Sequence, residues 1–101
     1  MMRALAIVLA IGSLAIVSPA HAAGDVAAGK AKAGSCAMCH GPAGQGTQMG
    51  PKLAGEDVGK FIQAMTDFKA GKGNSAMMKS AAASLSGDDI QNLAAYYASL
   101  K

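Results

Sequence analysis

The chain has 101 residues, of which 15% are charged and 4% aromatic, and a formal charge of +3. That length holds one small domain, and its two cysteines are too few for a disulfide-dense scaffold. The basic residues form no stripe interleaved with aromatics, which excludes a nucleic-acid partner.

In chain order, residues 1–22 read as a secretory signal peptide. Met1, Met2 and Arg3 give a short positive start, and Ala4 to Val17 is almost unbroken Ala, Leu, Ile and Val. Ser18-Pro19 then breaks the run, and Ala20-His21-Ala22 is an A-x-A cleavage pattern. An apolar run of about 14 residues is short of the ~20 needed to span a bilayer. Cleavage after about Ala22 is expected to leave an exported domain of residues 23–101 with no membrane span, in which His40 is the sole histidine.

That domain is expected to be all-α, with four short helices and one glycine-rich loop, because no segment alternates in the period-2 manner of a strand. A first helix runs from about Asp25, a good N-cap, through Ala33. Residues 41–55, rich in Gly and Pro, must be loop. Val58, Phe61, Ile62, Met65 and Phe68 repeat at helical spacing, with Gly71 placed to end that helix. A short helical turn follows around Met77–Ala83. Ser86 and Asp89 form a capping-box-like start for a last helix, whose stripe is Ile90, Leu93, Ala94, Tyr97 and Leu100.

Sizeable apolar side chains are few once Ala, Met and Cys are set aside. A domain of this size with so thin a core usually needs a staple. Cys36-Ala37-Met38-Cys39-His40 names one: it is the C-x-x-C-H signature of covalent haem attachment. On a helical turn Cys36 and Cys39 share a face, so each can form a thioether to one former vinyl group, and His40 can point its imidazole at the iron. A thioredoxin-like dithiol would want strands around it. A zinc site would want a fourth N or S ligand that residues 23–101 lack. A plain disulfide leaves the histidine without a role.

A six-coordinate iron needs a second ligand opposite His40, and Met is the soft neutral choice in electron-transfer haem proteins. Met38 lies inside the motif, Met49 just after it on the His40 side, and Met65 on an apolar stripe as core filler. Met77 and Met78 remain, one to bind iron and the other to pack.

From Gly24 to Lys101 the sequence resembles the small bacterial single-haem cytochromes c of class I. The resemblance is carried by Gly24-Asp25, Cys36-Ala37-Met38-Cys39-His40-Gly41, Met49-Gly50-Pro51-Lys52-Leu53-Ala54-Gly55, Ala76-Met77-Met78, Leu85-Ser86-Gly87-Asp88-Asp89-Ile90 and Leu93-Ala94-Ala95-Tyr96-Tyr97. It implies the cytochrome c fold, about four short helices wrapped around one covalent haem c. It also implies Met78 as the iron ligand, counted back from Leu85, with Met77 the alternative. By the same resemblance the Pro51 carbonyl accepts the His40 ring N–H, Leu53 packs on the haem, and Gly29 meets the Leu93/Tyr96 region where the first and last helices cross. Relatives often carry an aromatic where this chain has Ala33, which makes that crossing smaller.

The implied function is that of a periplasmic one-electron carrier, not an enzyme. It would cycle Fe(III)/Fe(II) between a quinol-oxidising or dehydrogenase donor and a terminal oxidase or reductase. A monomer is expected, with redox proteins of a respiratory chain as partners. A haem subunit docked to a dehydrogenase and a gas-binding or peroxidase-like haem protein are the competing roles. Lys69, Lys72 and Lys79 cluster near the methionine side and are expected to form a solvated surface, with the rim of an exposed haem edge as the alternative.

Overall fold

A computed structural model describes residues 24–101, so the signal-peptide reading of residues 1–22 lies outside the described residues. Five helices follow one another: α1 (Val26–Lys32), α2 (Gly34–His40), α3 (Val58–Lys69), α4 (Ala76–Ala83) and α5 (Gly87–Ser99). The architecture is the all-α fold expected, with one helix more than the sequence suggested. The difference lies at Ala33, whose φ of −76° and ψ of −3° break the helical path. Its carbonyl then starts a new helix by accepting from Cys36 and Ala37 N–H at 2.9 and 3.1 Å. The C-x-x-C-H turn is therefore a helix in its own right.

Each boundary has a local cause. Asp25 caps α1 by accepting from the N–H groups of Ala27 and Ala28. Asp57 caps α3 through Lys60 N–H at 3.0 Å, and Ser75 caps α4 through Met78 N–H at 3.1 Å. At the far end of α3, Gly71 N–H reaches the Phe68 carbonyl and Lys72 N–H reaches that of Asp67, both at 2.9 Å. This Schellman closure stops the helix where the sequence places its stop.

The Ser86–Asp89 capping box is present in full. Ser86 N–H donates to Asp89 Oδ2 at 2.9 Å, and Asp89 N–H donates to Ser86 Oγ at 3.0 Å. The bond from Ser86 backbone is the main reason the Asp89 carboxyl sits below its ordinary pKa. A depressed carboxyl stabilises the fold above its unfolded pKa and loses that contribution as pH falls through the folded value. Ser86→Ala is expected to cost about 1 kcal/mol in thermal unfolding at neutral pH. Stability measured below pH ~4 should fall more steeply in the parent than in Asp89→Asn.

The core is small: Ala33, Phe61, Met65, Ala82, Ile90, Leu93, Ala94, Tyr96 and Tyr97. Tyr97 holds its centre, with ring centroids 5.8 Å from Phe61 and 5.0 Å from Tyr96. Helix α5 is the spine, packing on α1 along one side and on α3 along another. The α1–α5 crossing closes on Gly29. A Cβ added there would lie 2.6 Å from the Asn92 carbonyl carbon and 2.7 Å from Tyr96 Cβ, so only glycine lets the backbones meet. Asp25 N–H donates to Asn92 Oδ1 at 2.8 Å, and Lys32 pairs with Asp89 at 3.6 Å, which locks the register.

The two remaining helices are peripheral. Among the described helices, the backbone of α2 approaches α1 alone and that of α4 approaches α3 alone, while the side chains of Cys36 and Met78 reach the core. Neither backbone approaches the other.

Candidate functional site

Helix α2 carries Cys36, Cys39 and His40 together. Residues three and four apart on a helix share a face, so this spacing aims two thiols and an imidazole to one side. Both thiols are free and half-buried, and His40 is buried at 7% exposure.

The loop after α2 holds the histidine. His40 Nδ1 donates to the Pro51 carbonyl at 2.7 Å, the partnership expected for these two residues. That bond selects the tautomer with Nδ1 protonated and leaves Nε2 a free lone pair. Among the described residues Nε2 has no hydrogen-bond partner, although the ring is buried. A buried ring nitrogen without a protein partner is an exception that calls for a group the described residues do not supply.

Further bonds fix the loop. The His40 carbonyl accepts from Gly46 N–H at 2.7 Å, and the Cys39 carbonyl accepts from the Thr47 hydroxyl, whose oxygen accepts in turn from Met49 N–H at 3.0 Å. Gly50 backs directly onto the ring, where a Cβ would stand 2.8 Å from His40 Nδ1. Thr47 and Gly50 were not singled out in the sequence. The signal for Gly50 is its place just before Pro51, and Thr47 has no signal beyond its distance from the motif.

Cys36 lies against the core beside Tyr97. Burial pushes its thiol above the ordinary value, and hydrogen bonds from the Tyr97 hydroxyl and from Ser35 offset this only in part. Burial also raises the Tyr97 hydroxyl, with Cys36 adding to the effect. A dithiol built for exchange needs a lowered thiol pKa. Cys36 has the opposite, and no strand is present among the described residues to frame a thioredoxin-like site.

The methionines separate by burial. Met65 is 6% exposed and belongs to the core, as expected of a stripe residue. Met38, Met49 and Met77 are 80%, 72% and 68% exposed. Met78 is half-buried and packs on the core together with Leu53, Ile62, Phe68 and Leu85. These half-covered apolar side chains come from the loop, α3, α4 and the segment after it. With Cys36 they are among the half-covered apolar side chains packed against the core. A flat apolar group with a central metal fits this donor set: two thiols, an unpartnered imidazole nitrogen and a half-buried thioether. Two of the lysines expected near the methionine side have partners. Lys69 donates to the carbonyls of Ala83 and Leu85, and Lys72 lies 4.0 Å from Asp67, so neither is a free rim charge.

Comparison with known proteins gives the same direction. Residues 22–96 match the family described as cytochrome C oxidase, cbb3-type, subunit III. Cytochrome c4 of Pseudomonas aeruginosa is 42% identical over 90 residues, which is 88% of this chain and 45% of that protein. Cytochrome c-554(548) of Halomonas halodenitrificans is 43% identical over 81 residues, covering 76% of this chain and 98% of that one. The solved cytochrome c4 of Acidithiobacillus ferrooxidans superposes with a TM-score of 0.72 at 32% identity, over 79% of this chain and 51% of that one. The chain thus spans about half the length of the cytochrome c4 relatives it matches.

Proposed function

Because the chain belongs to the class I c-type cytochromes, we propose that it is an exported one-electron carrier holding a single covalent haem c. The observation that carries this reading is buried His40, with Nδ1 committed to the Pro51 carbonyl and Nε2 left unpartnered on the face that also bears Cys36 and Cys39. Haem iron supplies, when bound, the one-electron Fe(III)/Fe(II) couple.

The residues of the chain then do the rest. Cys36 and Cys39 would hold the haem through thioethers to its two former vinyl groups, so that it could not be lost without breaking a bond. His40 would bind the iron through Nε2. The Pro51 carbonyl fixes its ring and makes it a stronger base, the second contact that tunes a metal-bound imidazole. Leu53 covers the haem and keeps water from it. Met78 would be the second iron ligand, and a thioether there would raise the reduction potential, which suits transfer from a quinol-oxidising or dehydrogenase donor to a terminal oxidase or reductase. His40 and Met78 together would leave the iron no position for a substrate. This supports a carrier over a gas-binding or peroxidase-like protein.

Export follows from the signal-peptide pattern, and the periplasm is the proposed location. One measurement tests export, covalency and haem count together. The intact mass of purified, denatured holoprotein should equal a chain beginning near Ala23 plus one haem. Cys36→Ser and Cys39→Ser should accumulate little holoprotein. A mass retaining Met1, or haem removed by acid–acetone extraction, would overturn the respective part.

A further inference from the structure

Helix α4 carries the proposed distal ligand at the edge of the fold. Among the described helices its backbone lies against α3 alone, and Ala82 is its one fully buried residue. Its last turn contains no basic side chain to meet the exposed carbonyl ends. The missing cation comes from another helix. Lys69, in the last turn of α3, places Nζ 3.2 Å from the Ala83 carbonyl and 2.6 Å from that of Leu85. One ammonium therefore bridges the last residue of α4 and the residue where the chain turns toward α5. Both bonds have a charged donor, the stronger kind, and both sit at the negative end of a helix.

We infer that Lys69 is a positioning residue, a latch that holds α4 on α3 and so keeps Met78 directed at the iron. Its two acceptors lie beyond Met78, one at the last residue of α4 and one two residues past it, so releasing them frees the helix end while the Ser75 cap at its start stays in place. Lys72 provides a control. It stands three residues away with the same charge, but its partner is the exposed carboxylate of Asp67 and not the backbone of α4.

The inference rests on the reading of Met78 as distal ligand, and the experiment separates the two. In haem-loaded protein, Lys69→Met keeps the aliphatic stem and removes the donors. It should weaken the methionine–iron(III) charge-transfer band and raise the rate of carbon monoxide binding to the reduced form by about three- to tenfold, the change in open population that loss of such a bond produces. Lys69→Arg should restore most of both signals, and Lys72→Met should alter neither. If Met78→Ala opens the iron while Lys69→Met binds carbon monoxide no faster than the parent, the latch is refuted and the ligand reading stands. If Lys72→Met matches Lys69→Met, the effect is one of surface charge, and the latch is equally refuted. If Met78→Ala leaves the iron closed, the ligand reading itself fails.

Discussion

Replacing Met78 by alanine in the haem-loaded protein is expected to abolish the methionine–iron charge-transfer band, let carbon monoxide bind the reduced iron, and lower the reduction potential. The potential should move by a sizeable part of the roughly 0.8 V that axial ligands span. Met77→Ala should leave all three signals in place. Neighbours on a helix point about 100° apart, so one of the two can face inward while the other cannot. The structure sorts them: Met78 packs against the core, and Met77 is 68% exposed. The same contrast sets the stability effects, because truncating an exposed methionine removes little apolar contact. An optical titration of both variants decides the matter. Loss of the band in Met77→Ala with its retention in Met78→Ala would reverse the assignment.

Gly29→Ala should destabilise the fold by opening the α1–α5 crossing. In an exposed helix that change would stabilise by about 1 kcal/mol, since alanine is the better helix former. Here the new Cβ would press on the Asn92 carbonyl carbon at 2.6 Å and on Tyr96 Cβ at 2.7 Å. One of these is backbone and the other the rigid root of a buried side chain, so α1 must move away from α5. Overpacking of this kind costs about 1–3 kcal/mol, and Gly29→Val should cost more. Denaturant unfolding of the holoprotein, followed by helicity, measures the difference. A Gly29→Ala variant more stable than its parent would show that the crossing has slack.

Much of this was legible from residue order alone, and the reasons differ by feature. The haem motif reads out because three residues of two uncommon types, cysteine and histidine, must stand at fixed spacing within little more than one turn. The stripes of α3 and α5 read out because their periodicity is long, and the Ser86 box because its partners lie three residues apart. The separate helix α2 was not legible. It depends on the backbone angles of Ala33, an alanine that elsewhere would simply continue a helix. Met77 and Met78 could not be told apart by residue type, since burial is a property of the assembled α3–α4 pair. Lys69 was read as surface charge because its acceptors are carbonyls 14 and 16 residues away, and backbone acceptors leave no mark on a sequence. Local signals were readable, and tertiary ones were not.

The α1–α5 crossing also bears on how quickly the chain finds its fold. Asp25 and Asn92, which bond across it, are 67 residues apart. Bringing such distant points together costs about 4 kcal/mol of chain entropy beyond a constant, and that cost falls before the contacts it permits. All-helical domains owe their speed to contacts between near neighbours in sequence. Here the most extensive helix pair is also the most remote one. The two ends of the domain therefore act as a clasp, and the slow search is for each other rather than for helix.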